Sequence, residues 1–162
     1  MMEEKNRIPN PFQHLIDLAS ERFGGKALIT NDDFFAPKSN LVKATDPIFI
    51  PGKYTPKGKW MDGWESRRRR TPGYDWCIVK LGVPGKIQGV NVNTTFFTGN
   101  YPEHFSLEAT YCPKVETSTP LTKSKTQWVE LIPKTALKGD SHNFFSVKND
   151  QPWTHVRLNI YP

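Results

Sequence analysis

Phe105-Ser106-Leu107-Glu108-Ala109-Thr110-Tyr111-Cys112 alternates apolar side chains with small, polar or sulfur-bearing ones along its whole length. Successive side chains of a β-strand point to opposite faces, so this stretch reads as a strand with one face toward a core. The same signature returns near the end, where Val156, Leu158 and Ile160 alternate with His155, Arg157 and Asn159. Between and before these two lie further short candidates: Trp76 to Leu81, Ile87 to Phe97, Trp128 to Ile132 and Phe144 to Val147. Gly82, a turn at Pro84-Gly85 and another at Gly99-Asn100-Tyr101-Pro102 punctuate them. Short strands separated by Gly, Pro and Asn turns predict an all-β fold, a β-sandwich or jelly roll.

Working outward, the pattern predicts one N-terminal helix. Asn10 is its cap, Pro11 suits the first turn, and Phe12, Leu15, Ile16, Ala19 and Phe23 share a face before Gly24-Gly25. Phe34 to Arg70 is rich in proline and glycine yet carries Phe49, Tyr54, Trp60 and Trp64. So many rings predict an ordered loop packed over one end of the sandwich. Lys114 to Gln127 is mostly Thr, Ser and Lys, which predicts an exposed loop.

The 162 residues fit one domain, with 22 Lys plus Arg against 16 Asp plus Glu. No apolar run reaches the length of a membrane span, and the charged start Met1 to Arg7 lacks a secretory h-region. Cys77 and Cys112 have no CxxC partner, so free thiols in a cytosolic chain are expected.

The densest chemistry lies in Lys59 to Arg70, with two carboxylates, two indoles and four arginines in one run. Guanidinium forks bind carboxylate or phosphate oxygens in pairs, and a desolvated Asp or Glu serves as acid or base. The plain alternative is a solvated basic strand end whose tryptophans pack the core and whose charges pair with one another. Asp62, Glu65 and Asp75 bracket the arginines and argue against nucleic acid as a partner. His104, His142 and His155 are isolated, so no metal motif is present and no metal ligand is assigned. Asp32-Asp33 reads as a turn cap or, alternatively, as oxygens for a hard cation.

Several blocks together resemble the allantoicase family. They are Leu15 to Glu21 (LIDLASE) with Gly24-Gly25, Thr30 to Pro37 (TNDDFFAP) and Gly58 to Arg70 (GKWMDGWESRRRR). Asp75-Trp76-Cys77, Phe97 to Tyr101 (FTGNY) and Trp153 to Pro162 (WTHVRLNIYP) follow in the family's order. The resemblance implies a jelly roll like that of galactose-binding domains. It also implies hydrolysis of a C–N bond in allantoate, a linear ureido compound, giving ureidoglycolate and urea in purine and allantoin degradation. Family members carry two such repeats in tandem. The expected organisation is therefore a tail at 1–11 and one repeat at 12–162, with its last strand and the second repeat absent.

Matching that chemistry to residue types nominates Asp62 and Glu65 as acid and base, with His104 third. Arg67 or Arg68, with Arg157, are the expected carboxylate binders, His155 is a further substrate-binding candidate on the last strand, and Asn93 and Asn100 are the amide-like partners for the ureido groups. No cofactor is required, though a divalent metal is an option. Expected partners are allantoate, the second repeat and a homo-oligomer, in the cytoplasm or alternatively the peroxisome. The family often has aspartate where Asn91 and Asn93 stand, and histidine at Tyr74. These departures keep open a second reading, a catalytically silent binding or assembly module on the same scaffold.

Overall fold

The computed structural model describes residues 9–115, 119–123 and 125–162. Residues 1–8 of the expected tail, and 116–118 and 124 of the expected exposed loop, lie outside the described residues. Among the described residues the strands are β1 (Lys26–Thr30), β2 (Tyr54–Thr55), β3 (Gly58–Lys59), β4 (Asp75–Lys86) and β5 (Gly89–Asn93). They continue with β6 (His104–Thr110), β7 (Val129–Ala136), β8 (His142–Ser146) and β9 (Pro152–Tyr161). Five of them form one antiparallel sheet in the order β1-β4-β9-β6-β7, while β5 pairs with β8 and β2 with β3.

The two layers follow from the alternation. Phe105, Leu107 and Ala109 of β6 and Leu81 of β4 are buried with Ile132 of β7, and Val156 and Leu158 of β9 pack against them. Val90 and Val92 of β5 and Phe145 of β8 close that half from the other side, with the Phe105 and Phe145 ring centroids 4.8 Å apart. The short β5–β8 pair does not reach the other half of the large sheet. There Trp64 and Val42, from the irregular stretch between β1 and β4, bury Ala27, Cys77 and Val79 together with Ile160. Trp64 is 8% exposed, so this part of the aromatic loop is ordered packing material, as its composition predicts.

The opposite face of the sheet is polar, as read, but most of it is covered. His155, Asn159, Ser106 and Thr110 are all buried on it. Arg157 forks onto Glu108 at 2.8 and 3.2 Å and lies under the Trp128 ring. Within the stretch read as an exposed loop, Leu121 is fully buried.

The N-terminal helix is a correction. Residues 11–19 form successive turns, and only a 3-10 turn appears, at Glu21–Phe23. The reason is local. Asn10, Asp17 and Ser20 each turn their side-chain oxygen back onto the backbone N–H two residues ahead, which competes with helix propagation. The segment instead lies along β4, where the Gly82 N–H donates to Leu18 O at 2.8 Å. Gly24 has the left-handed φ of 95° expected of the stop signal. Pro84-Gly85 is likewise not a turn but the interior of β4, in an irregular stretch between the pairings of Lys80 and Gly85 with β9. A proline without an N–H fits such a stretch. β1 carries no clear sequence signal. Cys77 and Cys112 are free thiols, and burial pushes the Cys77 thiol up to about 12.

A β-carbon at Gly82 would stand 2.0 Å from the Phe23 carbonyl oxygen, a backbone atom that cannot swing aside. Gly82→Ala is therefore expected to lift the 18–24 segment from β4 and cost about 1–3 kcal/mol in urea-induced unfolding.

Candidate active site

After Trp64 enters the core its indole N–H donates to the carbonyl of Asp32 at 2.8 Å. The next residue, Glu65, pairs through its backbone with Ala36 (3.1 and 3.2 Å), which fixes where the arginine run begins. Ser66 and Arg69 then both donate to Asp75, the first residue of β4, at 2.9 and 3.2 Å. Asn31, just beyond β1, donates to the same carboxylate at 2.9 Å and accepts from the Trp76 N–H. Arg67 donates through Nε to Asp32 at 2.9 Å and lies over the Phe34 ring. Arg69 also donates to Pro72 O and lies flat on Gly73, where a β-carbon would be 2.6 Å from its Nη2.

These contacts shape a shallow cleft of about 280 Å³ walled by Asp32, Arg67, Arg68, Arg69, Arg70, Thr71 and Asp75. The carboxylates engage Arg67 and Arg69, whereas Arg68 and Arg70 are exposed and have no carboxylate partner among the described residues. Burial works to raise the Asp32 carboxyl, but the Phe34 N–H and the Arg67 guanidinium outweigh it and hold the group below its usual range. A larger hollow, about 350 Å³, lies beside Leu15, Ile16 and Lys43. Its walls are turns whose Asp17 and Ser20 are occupied in capping, so it offers no comparable chemistry.

Glu65 is the carboxyl with a different character. It is half-buried, and desolvation raises its pKa despite the hydrogen bond it accepts from Asn100. Glu65 and Asn100 are thus two nominated residues that the fold brings together, and Arg67 and Arg68, two and three residues further on in sequence, line the neighbouring cleft.

Other nominated residues stand apart. Asp62 ion-pairs with Lys43 at 2.6 Å and accepts the Ile48 N–H, so both its oxygens are engaged in holding a loop. Burial opposes ionisation there, but those two donors keep its pKa lowered. His104 opens β6 opposite Ala136 and Tyr161. Asn93 caps a turn by accepting from Thr95, and Asn91 bonds His142. His155 is fully buried beside Thr154, its pKa lowered by burial and by Lys80, and Arg157 is spent on Glu108. The expected convergence of Asp62 with Glu65 and the arginines is therefore not met, because a nearer lysine claims Asp62. Asn31, Ser66, Asp32 and Asp75 carry the cleft, and their roles emerge only once β1 is paired with β4. Among the described residues no group of three or more His, Cys, Asp and Glu converges as a metal site would, and no helix is long and apolar enough to cross a membrane.

The layered sheets with their irregular loops define a jelly-roll β-sandwich of the galactose-binding-like kind. A carbohydrate-binding module of a family 31 glycoside hydrolase from Clostridium perfringens shares that fold at TM-score 0.55 and 12% identity, over 89% of this chain and 82% of its own. The allantoicase repeat matches residues 16–162, and the chain belongs to the allantoicase family. The crystal structure of allantoicase from Saccharomyces cerevisiae superposes at TM-score 0.78 with 32% identity, over 91% of this chain and 44% of that one. Probable allantoicase 1 of Burkholderia mallei is 46% identical over 154 residues, 95% of this chain and 44% of its own length. The chain thus spans less than half the length of the curated relatives it matches.

Two outcomes test this geometry. Asp75→Ala strips the acceptor from Asn31, Ser66 and Arg69, and is expected to cost about 3–5 kcal/mol in denaturant unfolding, as loss of one partner from a buried ion pair does. A carboxyl raised by the fold favours its protonated form, so stability is lost as pH rises through its folded pKa. Glu65→Gln removes that loss, so the variant should be more stable than the parent at pH 7. The difference should shrink toward about pH 4, near the ordinary glutamate value.

Proposed function

We propose that this chain is one repeat of an allantoicase, part of a hydrolase that converts allantoate and water to ureidoglycolate and urea. The observation that carries the reading is Glu65, a half-buried carboxyl with raised pKa, held by Asn100 and followed directly by the arginine cleft. Allantoate carries two ureido groups on one carbon beside a carboxylate, and each of these parts has a matching group here.

Arg68, the guanidinium nearest in sequence to Glu65 that has no carboxylate partner among the described residues, receives the substrate carboxylate in a forked pair of hydrogen bonds. Glu65, protonated, gives its proton to the nitrogen of one ureido group. The carbon–nitrogen bond then breaks with assistance from the lone pair of the other ureido nitrogen, and urea leaves. The Glu65 carboxylate takes a proton from water as its oxygen bonds to the same carbon, which yields ureidoglycolate and restores the acid. One carboxyl thus serves as acid and then as base, and Asn100 orients it while remaining within reach of a ureido carbonyl.

The remainder of the relatives' length is read as a second repeat that completes the enzyme, with a homo-oligomer as the assembled form and the cytoplasm, or the peroxisome, as its place. The silent-module alternative draws on Asp62, Arg67 and Arg69, all of which are engaged in holding the loop itself.

Urea release from allantoate separates the two readings, measured for the 162-residue chain and for a protein of the relatives' full length that carries it. In the active form Glu65→Gln should lower kcat at least about a hundredfold with KM nearly unchanged, the range typical of a lost acid–base group. Arg68→Ala should instead raise KM. Unchanged kinetics in Glu65→Gln would remove this residue from the mechanism.

A further inference from the structure

We infer that the arginine cleft is a site for small dianions, inorganic phosphate among them, that compete with the substrate's single carboxylate. This deepens the reading above and rests on it only for the competition.

The cleft is overcharged for a monoanion. Four guanidiniums, Arg67 to Arg70, and two carboxylates, Asp32 and Asp75, line it. Each carboxylate is committed to one arginine, Asp32 to Arg67 and Asp75 to Arg69. Arg68 and Arg70 therefore leave two positive charges without a counter-charge among the described residues. A substrate carboxylate neutralises one of them. In addition, the Arg69 Nε–H is buried and has no acceptor among the described residues. Its two Nη groups are already held by Asp75 and Pro72 O.

The wall is held in place at Arg69. Arg69 is clamped between Asp75 and the bare α-carbon of Gly73, whose φ of 122° suits glycine. Preorganised forks lose little freedom on binding, and guanidiniums match the paired oxygens of phosphate and carboxylate alike. A tetrahedral oxyanion or a short dicarboxylate supplies both the second charge and acceptors enough for two forks. A monocarboxylate supplies neither.

Isothermal titration of the 162-residue chain at low ionic strength, pH 8, with acetate, malonate and phosphate tests this. Malonate and phosphate are expected to bind at least about tenfold more tightly than acetate, the effect of one further charge pair at a solvated site. Arg68→Gln and Arg70→Gln, both at exposed positions, should each reduce dianion binding to the acetate level with an unchanged melting curve. Lys148→Gln, an exposed lysine on the loop after β8, should leave it intact. Dianions that bind no better than acetate would overturn the inference. So would an equal loss in Lys148→Gln, which would mark a general surface-charge effect.

Turnover of allantoate by the full-length enzyme carries the second arm, in which both dianions should raise KM and leave kcat unchanged. Tight dianion binding without competition would keep the dianion site and remove the substrate carboxylate from it. Arg68→Gln that raises KM in a chain with no dianion preference would do the reverse, leaving the proposed function standing and the dianion site refuted.

Discussion

One buried carboxylate organises the functional end of this molecule. Asp75 is 6% exposed, and its two oxygens receive Asn31 from the end of β1 and Ser66 and Arg69 from the loop. Burying an acid is unfavourable unless donors surround it, so the three must arrive together. Their arrival ties the edge strand, the start of β4 and the arginine run into one unit. Remove the charge and each of those three loses its reason to be where it is.

The same economy explains why the cleft is built from irregular chain. A five-stranded sheet needs its apolar face covered, and the β5–β8 pair is too narrow to cover it all. The loop between β1 and β4 completes the layer with Trp64 and Val42. A loop that must pack on one side is free to present polar groups on the other, and Glu65 and the arginines follow Trp64 immediately. Structure and chemistry therefore share one dozen residues. Glu65 is the place where they conflict, since desolvation disfavours its charged form and the described residues supply Asn100, not a cation, to offset it.

How far the sequence carries this picture depends on the range of each interaction. The alternation in β6 and β9 is visible because it is a property of a strand alone, whereas the opposed pairs Glu108–Arg157 and Ser106–Asn159 depend on a register that only the fold sets. The aromatic load of the 34–70 loop likewise declares that it is packed. The apolar spacing at 12–23 points to a helix, but three short polar side chains turn the backbone before a helix can propagate. Residue types at the site were legible, and their partners were not. Asp32 reads as a turn cap and does accept the Phe34 N–H, but the Arg67 guanidinium on its other oxygen, like the Lys43 ammonium on Asp62, emerges only in the fold. Long-range pairing decides which of several equivalent carboxylates remains available, and a linear pattern holds no record of it.

The order of strands in the large sheet also bears on how the protein is made. β9 lies between β4 and β6 and is paired along its length with both, yet it follows the other strands in sequence. Chain leaves the ribosome at about 5–20 residues per second, so β4 and β6 wait several seconds for the strand that joins them. Loop closure over such separations is slow, because its entropy is lost before any contact compensates. Until then the edges of β4 and β6 that β9 will occupy are vacant, and the alternating apolar face of β6 is open to other chains. Nascent copies of this protein thus pass through a period in which the central position of the large sheet is still empty and its two flanking strands have only their outer partners to pair with.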